Sequence, residues 1–492
     1  MATTTALRSL LPLSVRGLRR SALAALLVSG AVVAAPATAE ASGFLGARFG
    51  ADHGTPVGDN PFSIYFNPAA LAGVKGTQIA IDGALLYRIA SYERGADALS
   101  PGALGNEAPG SAASQDYKRS NTGTGTVGNF LALPFGGIAT DFGGSKILHG
   151  GLAVYIPFGG LASWTRNKTF DNSLAPGGND GPQRWFNISG KILSIYTTAA
   201  VAVTLPKTGF SIGANLSVVQ HIVETVRARN ANGSDDTGTA TQIIEGRSLI
   251  NASGANIAAG IGAFYEPIPE KLRFGASYTV RPSFGAMRLS GTLRTQFGNN
   301  DNKEPIELLQ TFPDVWRLGA SFRVSDKLEL RLDGEYVTWS MFENQCLVNA
   351  GKNASCEINK DGSERRGKDV VIQNIDRNWK DAVAVRAGAG VFVNDRTELF
   401  GSALFDTSAV PASTLDPTFI DAPKIHWVLG VRRKFTPKLA LAGSLNHVYF
   451  FEQDTRGKNT FYNRVADSRQ PSAAGVYNQQ YFYLNLNGTY QF

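Results

Sequence analysis

The chain has 492 residues, 43% hydrophobic and only 18% charged, with 47 Lys+Arg against 40 Asp+Glu and a net charge of +7. That much apolar material excludes a disordered chain, and two cysteines exclude a disulfide scaffold or a four-cysteine zinc site. No run of basic residues accompanies the positive balance, so composition predicts no nucleic-acid partner, and the length fits several soluble domains or one large barrel.

Residues 1–41 read as a secretory signal peptide. Arg8, Arg16, Arg19 and Arg20 supply the positive start, residues 21–33 the apolar stretch, and cleavage is expected after Ala41. No later stretch is apolar for the 18 or so residues that a membrane helix needs.

The rest of the chain alternates. In 481–492, Phe482, Leu484, Leu486, Gly488, Tyr490 and Phe492 share one face, and Tyr481, Tyr483, Asn485, Asn487, Thr489 and Gln491 share the other. Period two with one apolar face marks a strand. In 328–338, Leu328, Leu330, Leu332 and Tyr336 oppose Glu329, Arg331, Asp333 and Glu335; in 316–324, Trp316, Leu318, Ala320, Phe322 and Val324 oppose Arg317 and Arg323; Val383, Val385, Val391 and Val393 oppose Arg386. Fourteen such segments begin near Thr77, Thr126, Ile147, Arg184, Phe210, Ser248, Leu272, Thr311, Leu328, Ala382, Thr397, His426, Leu439 and Gly475. Six short connections alternate with seven long polar ones near 93–122, 163–183, 227–247, 290–308, 342–379, 407–424 and 452–474. Short turns on one side and long loops on the other, with an apolar outer face, predict an all-β fold: a 14-stranded antiparallel transmembrane β-barrel. Such a barrel leaves no backbone edge in lipid. It is expected in the bacterial outer membrane with both termini periplasmic. Soluble propellers or sandwiches also give many short strands but do not explain the strict loop alternation.

Residues 42–76 do not alternate. They are rich in Gly, Asp, Asn and Pro and carry an aromatic cluster, Phe62, Tyr65 and Phe66, so a packed plug inside residues 77–492 is expected. Asn67-Pro68 marks a turn or helix start. Several motifs here are similar to those of the FadL/TodX outer-membrane transporters of long-chain fatty acids and other hydrophobic compounds. They are Gly43-Phe44, Asn67-Pro68-Ala69 with Leu71, and 333–340 (DGEYVTWS). Further along come 378–381 (NWKD), Arg386-Ala387-Gly388, 406–411 with Pro423, His426-Trp427 and Leu429-Gly430. The resemblance covers nearly the whole chain after residue 41. It implies a barrel plugged by an N-terminal hatch, capture of ligand at the outer loops, a tighter lumenal site, and sideways exit at a kink in the third strand. It places Phe44 near the inner binding site and gives Asn67, Pro68 and Ala69 the task of holding the hatch. The third segment, 147–164, holds Pro157, Gly159 and Gly160, where a ladder is weakened. These residues read either as a lateral opening or as the outer end of that strand. The second copy of the run, Pro134-Phe135-Gly136-Gly137, reads as a turn.

Other motifs carry less. Residues 123–128 fit G-x-G-x-x-G but lack the strand before and helix after that a dinucleotide site needs. The five His show no i,i+4 pair, so neither a metal site nor any other cofactor is expected, and His426 beside Trp427 reads as an interface residue. Cys346 and Cys356, ten apart in the longest loop, are expected to form a disulfide in an oxidising exterior. Asp235-Asp236 reads as a solvated loop. Arg317, Arg323, Arg331 and Arg386 fall on the inward face, since mid-depth exposure to lipid would cost each roughly 2–4 kcal/mol. There they either receive a carboxylate head group or pair with Glu329, Asp333 and Glu335 to fill the lumen.

A methylene leaving water gains about 0.8 kcal/mol, so a chain of about fourteen gains roughly 11 before ordering costs. A dry tunnel and a gate therefore suffice, and no enzyme activity is expected. The expected function is hatch-gated passive uptake of long-chain fatty acids or similar hydrophobes by a monomer. The expected partners are the ligand, outer-membrane lipid, lipopolysaccharide phosphates, and the barrel-assembly machinery through the C-terminal strand ending in Phe492. A general porin for polar solutes, an outer-membrane lipid hydrolase with an inward Ser–His pair, and a structural or adhesin barrel are the alternatives.

Overall fold

The computed structural model describes residues 48–100, 111–230, 232–238, 243–351, 356, 371–465 and 468–492. The expected signal peptide and Phe44 lie outside the described residues. The strands in chain order are β1 (Thr77–Arg94), β2 (Gly123–Thr140), β3 (Leu148–Ser163), β4 (Ser189–Leu205), β5 (Phe210–Arg229), β6 (Gly246–Ile268) and β7 (Leu272–Thr279). They continue with β8 (Met287–Phe297), β9 (Asn300–Gln310), β10 (Val315–Ser325), β11 (Leu328–Val337), β12 (Asn344–Asn349), β13 (Val371–Asp376) and β14 (Ala382–Asn394). The last are β15 (Thr397–Asp406), β16 (Lys424–Lys434), β17 (Leu439–Phe450), β18 (Gln453–Asp454) and β19 (Val476–Gln491).

Fourteen of these make a closed antiparallel barrel. Neighbours pair in sequence from β1 to β7, then β7 with β10, β10 with β11, β11 with β14, onward to β17, and β17 with β19. The ring closes where β1 pairs with β19 from Gln78↔Gln491 to Glu93↔Val476. The alternation has the predicted cause. Trp316, Leu318, Phe322, Leu330, Leu332, Val383, Val385, Leu484 and Leu486 all point outward, Leu318 being 67% exposed. Their partners in phase, Arg317, Asp333, Arg386 and Asn485, are buried inside.

Three sequence expectations change. The fourth strand starts at Ser189, and Arg184 lies in a buried helical turn, Pro182–Trp185. The polar stretch 290–308 falls within the β8–β9 hairpin. That hairpin prolongs the upper half of β6 (Arg247↔Gln296 to Ser253↔Ser290) and carries β12–β13 beside it. Pro134-Phe135-Gly136-Gly137 is no turn: it lies within β2, with Pro134 opposite Gly83 of β1. Proline is tolerated there because β2 has no ladder on its other side at that height.

Candidate functional site

The hatch, from residue 48 to 76, fills the bore on short helical turns, among them Ser63–Phe66 and Pro68–Gly73. Its central tie is Asn67. The side chain caps the second turn by accepting from the Ala69 N–H (3.1 Å), and its Nδ2 donates to the carbonyls of Pro56 (2.8 Å) and Ala263 of β6 (2.9 Å). One amide thus joins two parts of the hatch to the wall. Asn215 and Ser277 add bonds to the carbonyls of Ile64 (3.0 Å) and Phe66 (2.6 Å), and Asp82 accepts the Gly50 N–H (2.8 Å).

The wall meets the hatch with glycines. Gly213, Gly262, Gly275 and Gly319 lie on the adjacent strands β5, β6, β7 and β10, with Gly213 opposite Gly262 and Gly275 opposite Gly319. A Cβ on Gly213 would run into Ala69, one on Gly262 into Asn67, and one on Gly275 into the Pro56 carbonyl. A Cβ on Gly319 would stand 3.1 Å from the Pro56 ring. Only bare backbone admits so close an approach.

Charged wall residues grip the hatch as well. Arg317 donates to Glu335 (3.2 Å) and to the Tyr65 hydroxyl (2.8 Å), and its guanidinium lies 4.4 Å from the Tyr65 ring centroid. Burial pushes the Tyr65 phenol well above its ordinary range, so it stays neutral and accepts this bond. Arg386 pairs with Asp333 (2.7 Å) and Asp52 (3.3 Å) and reaches the carbonyls of Ala51 and Gly54. Arg331 bridges Glu329 (2.8 Å) and Glu398 (2.6 Å), and Glu398 accepts from His53 of the hatch (2.9 Å). Burial lowers the His53 pKa against the pull of Glu398, so the ring donates as a neutral imidazole. Arg323 lies lower, over the Phe392 ring, with a bond to the Asp326 carbonyl (3.1 Å). Three of the four predicted arginines therefore spend their donors on protein carboxylates. Below the hatch, at the short-turn rim, is a polar cavity of about 450 Å³ lined by charged side chains including Arg273, Arg331, Glu398 and Arg432.

Above the hatch the lumen is aromatic. Ring centroids follow one another from Phe419 to Trp379 (5.7 Å), Trp339 (4.9 Å), Phe312 (6.4 Å), Phe158 (5.3 Å), Tyr196 (6.1 Å) and Tyr155 (5.6 Å). Tyr155 then touches hatch Tyr65 (5.1 Å), and Phe135 beside it touches Phe49 (5.3 Å) and Phe62 (4.8 Å). The run begins among the long loops and ends on the hatch.

Phe135 and Tyr155 are also the last pair of the β2–β3 ladder. β2 and β3 pair only from Thr140↔Gly150 to Phe135↔Tyr155, whereas β3 and β4 pair on to Ser163↔Ser189. Farther out, β2 meets the end of β3 where the Ser163 N–H donates to Asn129 Oδ1 (3.1 Å), and the residue after it at the isolated bridge Val127↔Trp164. The cause is local. β3 carries one extra residue between Tyr155↔Tyr196 and Phe158↔Ser194, at Ile156-Pro157. A bulge bends its strand, and Pro157, like Pro134 across the gap, has no N–H to give. Gly159 and Gly160 lie in the unpaired stretch, so the run does not end the strand at its rim. Arg88 of β1 reaches across to the Leu161 carbonyl (3.3 Å).

Residues 24–492 match a family described as outer membrane protein transport protein (OMPP1/FadL/TodX). The chain belongs to that family. Solved structures similar to this FadL/TodX-type transport protein include a Pseudomonas aeruginosa FadL homologue, at 16% identity over 93% of this chain and 99% of that one, with a TM-score of 0.67. The Ralstonia pickettii toluene transporter TbuX is 13% identical over 92% and 98% (TM-score 0.58), and the Pseudomonas putida toluene transporter TodX 11% over 87% and 92% (TM-score 0.55). Identities this low speak for the shared fold. No curated protein matches the chain in sequence.

Other residues of this outer-membrane FadL/TodX-type protein fall as follows. Cys346 and Cys356 are bonded, joining β12 to the loop beyond it. His426 is not an interface residue: it lies inside, bonded to the Tyr483 hydroxyl (2.9 Å) and Asn446 (3.2 Å), while Trp427 faces outward. Asp235 is not solvated. It is fully buried against Arg94 (2.7 Å). Sequence reading missed a buried inward pair, Ser194 and His221, set opposite each other by the β4–β5 register. Ser194 Oγ lies 2.9 Å from His221 Nδ1, but His221 Nε2 has no hydrogen-bond partner and the ring faces Phe312 (5.3 Å). A triad needs a group that orients the base, and among the described residues none bonds that nitrogen. No cluster of three metal-ligating side chains exists among the described residues.

Proposed function

We propose that this transporter carries hydrophobic small molecules, long-chain fatty acids or compounds of similar character, from the long-loop rim into the aromatic lumen and out sideways between β2 and β3. The observation that carries the reading is the coincidence of two ends. The part of the aromatic run that belongs to the wall reaches the hatch at Phe135 and Tyr155, and the β2–β3 ladder stops at the same pair. Apolar cargo gains at each step along such a wall. Straight ahead it would meet the hatch and then a charged cavity, where that gain is lost. Sideways it meets the bilayer. Movement of the hatch, which packs Phe49, Phe62 and Tyr65 against both lips, supplies the gate. Asn67, Pro68 and Ala69 keep the hatch seated. Pro157, Gly159 and Gly160 keep the side opening unpaired. The short-turn rim, with the ends of the barrel, faces the periplasm.

The hatch fills the bore, which disfavours an open porin. Labelled long-chain fatty acid uptake by cells lacking their own transporter tests the reading, with wild type and Asn67→Ala compared at equal outer-membrane levels. Uptake that appears with wild type and changes in the variant supports it. No uptake by folded wild type removes fatty acid as the cargo. Since the solved relatives TbuX and TodX are toluene transporters, labelled toluene is the second substrate to test.

A further inference from the structure

Among the long loops, beside but apart from the aromatic run, lies a small cavity of about 40 Å³. Its walls come from the outer end of β5, the loop after it, the start of β13 and the last loop before β19. Three arginines, Arg227, Arg229 and Arg469, line it together with Gln373, Gln470 and Trp185. Arg227 and Arg229 share the inward phase of β5, so the strand directs both to this spot.

Among the described residues these arginines have no carboxylate within ion-pair distance. Nearly every other buried arginine in the molecule is matched, as Arg94 is by Asp235, Arg184 by Glu245 and Arg377 by Asp416. Arg227, only 6% exposed, has one long bond from Nη1 to the side-chain Oε1 of Gln470 (3.3 Å). Arg229 has one to the Ile372 carbonyl (3.4 Å), and Arg469 lies against the Tyr462 ring (5.0 Å). Among the described residues none of the three makes an ion pair. Asp416, the nearby carboxylate, is held by Arg377 at 2.7 Å. Glu304 acts on Arg229 only from beyond ion-pair distance. Three buried donor nitrogens around the cavity have no acceptor among the described residues: Arg227 Nε, Arg469 Nε and Gln470 Nε2. The one acceptor among them without a donor, Gln373 Oε1, becomes a donor by turning its amide.

A buried guanidinium without a partner is expensive, and an unsatisfied buried donor calls for an acceptor. When every unsatisfied group can donate, that acceptor bears negative charge. A single water needs about 10–15 Å³ of such space, so this cavity takes a group the size of a carboxylate, phosphate or sulfate. We propose that Arg227, Arg229 and Arg469 form an oxyanion site at the cell-surface end of the barrel. Their planar forks suit a multidentate oxyanion. Two sources share this chemistry: the carboxylate of an incoming ligand, and a phosphate of surface lipopolysaccharide. The inference does not rest on the transport reading, because inorganic anion binding is measured on the isolated protein.

Sodium phosphate is titrated into the detergent-solubilised protein at constant ionic strength, and the emission of Trp185, which lines the cavity, is followed. The Trp185→Phe protein identifies its share of the signal. The expected result is a saturable change that Arg227→Gln and Arg469→Gln each weaken at least tenfold. Because Arg469 lies in a loop, its variant keeps the test valid if Arg227→Gln fails to fold. Laurate that displaces phosphate while methyl laurate does not would name the ligand carboxylate as source. Displacement by lipopolysaccharide but not by its dephosphorylated form would name the surface lipid. A response to phosphate that is absent, unsaturable, or unchanged in both arginine variants overturns the site.

Discussion

The guanidinium of Arg317 donates to the hydroxyl of Tyr65 at 2.8 Å and lies 4.4 Å from the centroid of the same ring. One residue belongs to the barrel wall and the other to the hatch, so this contact reports whether the hatch is seated. Tyr65→Phe keeps the ring and removes the acceptor. Arg317 retains Glu335, so the expected cost is about 1.5–3 kcal/mol, the range for a bond to a charged group. It should fall on the hatch alone. Hydrogen exchange of residues 49–74 should speed up while the melting of the barrel stays put; unchanged exchange would mean that Tyr65 does not hold the hatch.

Gly275→Val tests the seat itself. The new side chain would enter the space of the Pro56 carbonyl, which cannot yield as a side-chain tip can. β7 tolerates a branched residue well, so the barrel should still form with its hatch displaced. Ion conductance across a planar bilayer should rise several-fold over wild type. A tight channel with a normally protected hatch would show that the glycine contact is dispensable.

Deletion of Pro157 removes the single extra residue that bends β3. The strand can then run straight and continue its ladder with β2 past Phe135↔Tyr155. Hydrophobe uptake should fall at least fivefold at equal surface level, with the aromatic lumen intact. Uptake equal to wild type would send the cargo elsewhere.

The Cys346–Cys356 bond closes a loop ten residues apart in sequence, worth roughly 2–3 kcal/mol of chain entropy. Cys356→Ser should loosen the β12–β13 hairpin, seen as faster exchange at 346–348, without lowering barrel stability. A drop in barrel melting would show that this outer hairpin supports the wall.

The barrel was readable because lipid and lumen impose opposite demands on successive residues. Leu330 and Arg331 could not exchange places, and most of the fourteen strands carry that mark; β3, buried without a break from Ala153 to Gly159, does not. The hairpins β8–β9 and β12–β13 did not show, since they belong to the long-loop side, where no bilayer enforces alternation. Pro134 was misread because proline usually interrupts a strand; its tolerance depends on a neighbour, β3, that leaves at that height. His426 was legible after all: its phase opposes Trp427, and the aromatic neighbour drew the wrong conclusion. The pairing of Ser194 with His221 and the meeting of Arg227 with Arg469 depend on strand register and loop path, which no local pattern records.

The side opening above the hatch bears on what the cell risks. In an ordinary gated pore, the passage that admits nutrients also admits ions and antibiotics whenever it opens. On the proposed sideways route the unpaired stretch of β2 and β3 lies above the plug, and Asn67 and the glycines beneath it need not let go completely for an oily molecule to slip into the bilayer. Feeding and leakiness are thereby separable traits, and variants that raise uptake by widening the side gap should leave sensitivity to water-soluble toxins unchanged.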